Sequence, residues 1–111
     1  MKEINNKIYI SIAEDFSRTP GARYYTDGPK SGEEFRETVL EKYFDDSTDE
    51  RIIEVNLDDV RGYTTSFLEE TFGGLVRKYG KEIVKKRLKI MAKKRILYKE
   101  KAEMYIENAK S

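Results

Sequence analysis

The sequence predicts an α/β fold: a mainly parallel sheet with helices packed on one face, and an additional C-terminal helix. Segments with strand-like alternation and segments with helix-like periodicity take turns along the chain, which is the order of successive βαβ units. The strand-like segments alternate apolar and polar side chains instead of running continuously apolar, so only one sheet face is expected to be covered. The chain has 111 residues, enough for one domain. We interpret residues 1–111 as a single domain with its core at about 7–91.

Three segments have the period of a half-buried strand, namely residues 7–12, 51–58 and 87–91. One face of these strands is apolar and should meet the helices: Ile8, Ile10, Ile12, Ile53, Val55, Leu57, Leu88 and Ile90. The other face should meet water or a polar partner: Tyr9, Ser11, Glu54, Asn56, Arg87 and Lys89.

Residues 15–29 separate the first strand from the first long helix and are rich in turn-forming residues, so they predict the longest irregular stretch. Ser31 and Glu34 have the spacing of a capping box, in which each side chain accepts a hydrogen bond from the backbone N–H of the other. A helix should therefore begin at Ser31. Its apolar stripe runs from Phe35 to Phe44.

A second helix is predicted to begin at Ser66, because Ser66 and Glu69 repeat the Ser-x-x-Glu spacing. Gly80 is the expected end of this helix. Gly73 and Gly74 lie inside it, and each costs roughly 1 kcal/mol of helix stability relative to Ala. A close packing contact, most simply against the sheet, should compensate.

The C-terminal helix is predicted over about residues 92–110. Its apolar stripe consists of Tyr98, Ala102, Tyr105 and Ala109, widened by Ile96, Leu97, Met104 and Ile106.

The composition excludes most familiar catalytic sites, since the chain has no His, Cys or Trp. Imidazole bases, thiol nucleophiles, disulfides and the zinc sites that need Cys or His are therefore ruled out. We expect no enzymatic activity, no cofactor and no metal site, and interpret Asp58-Asp59 and Glu69-Glu70 as strand-end and helix-face acids. No apolar run is long enough to span a membrane, and the N-terminus lacks the apolar core of a signal peptide, so a cytoplasmic protein is expected.

Charge is unevenly distributed along the chain. Residues 1–76 carry 17 acidic and 9 basic side chains, whereas residues 77–111 carry 4 acidic and 13 basic ones. The basic third between Lys78 and Lys101 fits either a phosphate-contacting stripe or a solvated surface that faces the acidic half. Only three tyrosines accompany it for base stacking, which favours the second interpretation.

Several motifs resemble a bacterial family of stand-alone STAS-like proteins of unassigned function, which is distantly similar to the anti-sigma-factor antagonists. The resemblance covers about residues 8–91. These motifs carry it: Asp15-Phe16, Pro20-Gly21-x-Arg23, Ser31-Gly32-Glu33-Glu34-Phe35-Arg36, and Gly62-Tyr63-x-x-Ser66-Phe67-Leu68-Glu69-Glu70-x-Phe72-Gly73-Gly74-Leu75-Val76-Arg77.

In the antagonists, a serine after the central strand is phosphorylated by an ATP-binding anti-sigma kinase. The resemblance implies that Ser66 is the closest equivalent of that serine, with Thr65 beside it. The chain departs from the antagonist pattern at two positions, since Thr64 stands in place of Asp and Phe67 in place of Gly. A histidine-kinase-type ATPase is the protein partner that the resemblance implies.

The favoured hypothesis is a non-enzymatic STAS-like module that binds a protein partner through residues 64–70 and 18–29 and is switched by phosphorylation at Ser66 or Thr65. The expected partner-binding residues are Arg18, Arg23, Tyr63, Thr64, Glu69 and Glu70. The alternative is a nucleic-acid-binding or phage-type inhibitor protein that uses the basic C-terminal third. A monomer and a homodimer both remain open.

Overall fold

A computed structural model describes residues 1–110. Its centre is a four-stranded sheet of order β1-β2-β3-β4, formed by β1 (Lys2–Ile4), β2 (Lys7–Ser11), β3 (Ile52–Asn56) and β4 (Leu88–Met91). β2, β3 and β4 pair in parallel, and only β1 is antiparallel to its neighbour. The predicted α/β class with a mainly parallel sheet is confirmed.

Helices connect these strands. A short α1 (Ile12–Asp15) follows β2. The helix α2 runs through three contiguous pieces, Gly32–Phe35, a π-helical Arg36–Leu40 and a 3₁₀ turn Glu41–Tyr43. The helix α3 has the same kind of division, with Thr65–Leu68, a π-helical Glu69–Gly73 and Gly74–Tyr79. Between β3 and β4 there is also α4 (Lys81–Arg87), and α5 (Ile96–Asn108) ends the fold.

The strand β1 was not predicted. It forms a hairpin with β2 through Asn5 and Asn6, which both have positive φ, at 53° and 63°. This is the backbone of the tight turns that connect antiparallel strands, and Asn tolerates it better than most residues do. Three exposed residues are too few to show an alternating pattern, so the Asn-Asn pair was the only available signal.

The sheet has one buried face, as predicted. Ile10, Val55 and Ile90 are among the buried residues that meet the helices. On the opposite face Tyr9, Glu54 and Lys89 stand side by side in register across three strands.

The prediction for Arg87 was wrong. This residue ends α4 instead of opening a strand, and its side chain is only 3% exposed. Its guanidinium donates hydrogen bonds to the carbonyl oxygens of Tyr43 and Arg51 at 2.6 and 3.0 Å and lies over the Phe44 ring. Alternation over residues 87–91 could not distinguish the last residue of a helix from the first residue of a strand.

Aromatic side chains of α2 and α3 fill the space above the sheet. Phe35 and Phe67 stack with ring centroids 6.1 Å apart, and both are fully buried. The helices approach closely at Gly32, where a Cβ would lie 2.6 Å from the carbonyl oxygen of Phe67. The starts of α2 and α3 are therefore fixed against each other.

Gly80 ends α3, as predicted, with a φ of 96° that a residue with a side chain rarely adopts. The chain then turns directly into α4, for which the sequence has no clear periodic signal.

The C-terminal helix is confirmed, although it is shorter than predicted. Ala102 and Ile106 are buried, whereas Ile96, Leu97 and Met104 are 56, 59 and 46% exposed. The predicted widening of its apolar stripe is therefore wrong for these three residues. Within residues 1–110, no helix combines the length and apolar character that a membrane crossing needs.

Candidate functional site

The candidate site lies where the parallel strands end. In sheets of this kind the loops that follow the carboxyl ends of the strands are the usual place for ligands and partners. Residues 18–29 follow α1, and residues 64–70 follow β3 and begin α3. We call these two segments together the strand-end surface.

The loop of residues 18–29 is held against α2 by its own backbone. The carbonyl oxygens of Ala22 and Arg23 accept hydrogen bonds from the N–H groups of Gly32 and Glu33, both at 2.9 Å. Such first-turn N–H groups have no partner within a helix, so the loop satisfies them. The loop is thereby part of the helix cap.

The capping box at the start of α2 is confirmed in one half. The Ser31 hydroxyl accepts from the Glu34 N–H at 3.0 Å. The Glu34 carboxylate, however, accepts from the N–H of Lys30 instead of Ser31. The box thus reaches one residue further into the loop than its sequence spacing predicted.

The predicted cap of α3 at Ser66 is wrong, because Thr64 holds that position. The Thr64 hydroxyl accepts from the Phe67 N–H at 2.9 Å and lies 3.3 Å from the carbonyl oxygen of Gly21, to which it can donate. The Glu69 carboxylate, which a capping box would have turned back to the helix start, is instead bound by arginines. Thr64 therefore links the start of α3 to the loop.

This leaves two hydroxyls in the first turn of α3 without a capping role. Thr65 is exposed and Ser66 is half-buried. Neither side chain makes a hydrogen bond to any other residue in the described part of the chain. Both phosphoacceptor candidates thus carry hydroxyls that the fold does not use.

Two other predicted site residues, Glu69 and Glu70, hold the loop through Arg23. The Arg23 guanidinium lies 2.6 Å from Glu69 and 3.2 Å from Glu70. Arg77 donates to Glu69 as well, at 2.6 Å. Hydrogen bonds from Arg77 and Arg23 outweigh the effect of burial and lower the pKa of Glu69. The two carboxylates therefore hold the two segments of the strand-end surface together.

A buried cluster of ion pairs between α2 and α3 lies next to these contacts. Arg36 donates to Glu70 at 2.8 Å and to Glu41 at 2.5 Å, and all three residues are less than 10% exposed. Lys78 reaches the other oxygen of Glu41 at 2.6 Å. We call Arg23, Arg36, Glu41, Glu69, Glu70, Arg77 and Lys78 the ionic cluster.

Gly73 and Gly74 make room for the ionic cluster. A Cβ at Gly74 would lie 2.6 Å from the Arg36 Nε, and one at Gly73 would collide with the Glu69 carboxylate. The expected close contact is therefore present, but its partners are charged side chains and not the sheet.

Tyr63 packs against the first turn of α3. Its hydroxyl donates to the carbonyl oxygen of Leu57 at 2.8 Å, and its ring packs edge-on against Tyr98 and beside Phe67. Burial raises the pKa of the Tyr63 phenol above its ordinary value. Because its ring is half-buried and its hydroxyl bonds to the backbone, Tyr63 has mainly a structural role in the site.

Arg18 and Thr64 are the exposed members of the predicted set, and Arg18 lies at the start of the loop. Its guanidinium pairs with Glu14 at 2.8 Å, and its carbonyl oxygen accepts from the N–H of Arg61 at 2.9 Å. Arg95 in turn donates to the carbonyl oxygen of Arg61 at 2.8 Å. These contacts link Arg18 to Arg61 and Arg95, and the latter two line a cavity of about 270 Å³ together with residues 57–60 and Lys94.

The acidic pairs Asp58-Asp59 and Glu69-Glu70 do not form one cluster in the described chain. Burial of Asp58 opposes its ionisation, but hydrogen bonds from the N–H groups of Lys93 and Lys94 outweigh it and lower the pKa. Asp59 is exposed and pairs with Lys94. No group of three or more acidic side chains within residues 1–110 is arranged to hold a metal ion.

Four of the eleven basic residues between Lys78 and Lys101 are paired with carboxylates or buried. Lys78, Lys85 and Lys94 pair with carboxylates, as does Arg77 just before them, and Arg87 is buried. The basic run is therefore not one continuous charged stripe in the folded protein.

Arg36 and Arg77 lie in the motifs that carry the family resemblance, but sequence reasoning assigned neither of them, nor Glu41, to the partner-binding site. The Gly73-Gly74 pair was a usable signal, because two glycines within a helix need a close neighbour. The sequence could not identify that neighbour, which lies 38 residues away at Arg36.

Comparison with known proteins agrees with this description. A sequence model of the STAS-like domain of unknown function (DUF4325) matches residues 31–93, which include α2, β3, the ionic cluster apart from Arg23, and β4. No curated protein and no solved structure matches the chain significantly. Since the match covers more than half of the chain, the protein belongs to the STAS-like DUF4325 family.

Proposed function

We propose that the protein is a non-enzymatic regulatory module that binds a protein partner through the strand-end surface. Phosphorylation of Thr65 or Ser66 switches this binding. The partner is an ATP-binding kinase of the anti-sigma type, related to histidine kinases. The observation that carries the proposal is the pair of hydroxyls in the first turn of α3 that neither caps the helix nor bonds to another described residue.

The surroundings of the two hydroxyls support this role. Thr64 and Arg23 tie the loop of residues 18–29 to α3, so a partner would meet a preformed surface. Binding to a preformed surface avoids the entropy cost of ordering a loop.

A phosphate would change this surface without unfolding it. It adds a charge of about −1.5 to −2, which the N-terminal end of a helix tolerates well. The added charge would repel an acidic partner surface and attract a basic one. The switch thus acts on the partner, while α3 remains folded.

The test is affinity capture from the lysate of the native host with the wild-type chain, Thr65→Asp and Ser66→Asp. Ser47→Asp is the matched control, because Ser47 is also exposed but lies in the loop before β3, at the other end of the sheet. Captured proteins and phosphopeptides that contain Thr65 or Ser66 are identified by mass spectrometry, with and without nuclease treatment.

We expect an ATPase that wild type and Ser47→Asp capture and that Thr65→Asp or Ser66→Asp loses. Identical capture by all four proteins would reject the switch. Nuclease-sensitive capture that does not depend on Thr65 or Ser66 would favour nucleic-acid binding by the basic third instead.

A further inference from the structure

The strand β4 is an edge strand of the sheet, and backbone groups on its outer side are free to form hydrogen bonds. The carbonyl oxygen of Met91 accepts from the Leu57 N–H on the β3 side. Because successive residues of a strand direct their backbone groups to opposite sides, those of Leu88 and Ile90 point outward. The Leu88 N–H is bonded to Val84 in α4. The Leu88 carbonyl oxygen and the N–H and carbonyl groups of Ile90 have no hydrogen-bond partner within residues 1–110.

A groove runs along this edge. It has a volume of about 770 Å³, and all four residues of β4 line it together with one side of α5. Met104 of α5 adds an apolar side chain to the groove that is 46% exposed. The helix therefore forms a wall beside the unpaired edge, and an added strand would lie between β4 and that wall.

The charges in the groove are separated by side. The wall from α5 contributes Glu100, Glu103 and Glu107 against a single Lys99. Glu107 is paired with Lys85 at 2.8 Å, whereas Glu100 and Glu103 make no ion pair in the described chain. On the polar sheet face, Lys89 stands beside Glu54 in register. The helix wall is acidic, whereas the sheet side, with Lys7 and Lys89 against Glu54, carries a small positive excess.

These features specify the occupant. An extended segment would bond to the Ile90 and Leu88 backbone groups, and its side chains would point alternately to the helix wall and to the polar face. Side chains toward the wall would meet Met104 and the two unpaired glutamates, so apolar and basic residues fit there. Side chains toward the polar face should be uncharged and polar.

A second copy of the chain fits less well. Pairing β4 with its own equivalent would place two copies of Lys89 close together on the same face of a four-residue strand, and like charges there are destabilising. We propose that the β4 edge binds an extended segment of a partner protein, with basic and apolar side chains facing α5, as a fifth strand of the sheet. This surface is separate from the strand-end surface, and the inference does not depend on the proposed function.

The test uses a fluorescein-labelled peptide, Thr-Lys-Thr-Val-Thr-Lys-Thr, whose Lys and Val residues share one face. Binding to the full chain is followed by fluorescence anisotropy, and hydrogen exchange of the Ile90 amide is measured by NMR. Two forms of the peptide carry N-methyl groups on alternate residues, so that each form loses the hydrogen bonds of one side only. The protein variants are Glu100→Lys with Glu103→Lys, and Glu37→Lys on exposed α2 as the control for charge.

We expect the peptide to bind and to slow exchange of the Ile90 amide. One N-methylated form should bind and the other should not, and the double variant should bind at least about tenfold more weakly while Glu37→Lys binds like wild type. Absence of binding at about 1 mM peptide, or binding that leaves Ile90 exchange unchanged, would overturn the proposal. So would a dimer that the peptide dissociates, because a second copy would then be the occupant.

Discussion

At the scale of single residues, Gly74 shows how the ionic cluster constrains the sequence. Alanine normally favours a helix by about 1 kcal/mol over glycine. At this position its Cβ would lie 2.6 Å from the Arg36 Nε and 2.9 Å from its Cδ, and Arg36 is held by two glutamates. We therefore predict that Gly74→Ala lowers the free energy of unfolding by about 1–3 kcal/mol in urea denaturation.

Gly62→Ala is the control for that substitution, because its Cβ would meet only the Tyr98 hydroxyl, at 3.4 Å. It should change stability by less than about 0.5 kcal/mol. A Gly74→Ala protein more stable than wild type would show that Arg36 does not occupy this space.

Glu70 is the carboxylate that Arg36 and Arg23 share. Without it, Arg36 would keep only Glu41 as an ionic partner in a site that is almost closed to water. Removing one member of a buried ion pair typically costs about 3–5 kcal/mol, since the remaining charge stays buried. We predict a loss near the lower limit, about 3 kcal/mol, for Glu70→Ala in chemical denaturation, because Glu41 still compensates part of the charge.

Glu37→Ala controls for the loss of a helical glutamate. Glu37 is exposed on α2 and makes no ion pair within residues 1–110, so stability should barely change. Equal effects of the two substitutions would contradict the buried cluster.

At the scale of elements, α3 depends on the identity of its cap. Thr64 satisfies the Phe67 N–H, and removing such a cap costs about 1 kcal/mol. Thr64→Ala should lower the free energy of unfolding by that amount, whereas Ser66→Ala should change it by less than about 0.5 kcal/mol. Thermal and urea denaturation of the two variants would measure this difference, and the reverse order would restore Ser66 as the cap.

The π-helical pieces of α2 and α3 are a second feature at this scale. Each begins with members of the ionic cluster: Arg36 is the first residue of one piece, and Glu69 and Glu70 are the first two residues of the other. Such widened turns inside helices often occur at functional sites. Here they accompany the ionic cluster, which holds the loop of residues 18–29, α2 and α3 together.

At the scale of the whole molecule, acid stability depends on carboxylates that are bound to arginines. Hydrogen bonds from the Arg51 side chain lower the pKa of Asp49 to about 2. A carboxyl with a lowered pKa stabilises the fold fully above its unfolded value, near about 4, and this contribution is lost as the pH falls toward the folded value. The free energy of unfolding should therefore decrease between about pH 4 and pH 2.

In Asp49→Asn this decrease should be smaller, although Glu69 and Asp58, whose pKa values are also lowered, still contribute to it. Urea unfolding at several pH values below about 5 would measure the slope. Glu37→Gln, which removes an exposed carboxylate without an ion pair in residues 1–110, is the control for the loss of one negative charge. An Asp49→Asn slope identical to that of the wild type would contradict the assignment.

Much of the fold was predictable from local sequence. The alternation around Ile8, Ile53 and Leu88 reports which sheet face is buried, because side chains of a strand point to opposite faces in turn. Capping spacing located the starts of α2 and α3, and glycine the end of α3, to within a few residues, since these signals act over one helical turn.

Other features were decided only by tertiary structure. The Glu69 carboxylate bonds to Arg23 and Arg77 and not to the start of α3, and the role of Gly74 depends on an arginine in another helix. The burial of Arg87 likewise follows from its contacts with Tyr43 and Phe44, and the exposure of Met104 from how α5 packs beside β4. Residue type and spacing determine which local structures are favourable, but the energies of buried charges and edges depend on neighbours that only the folded chain brings together.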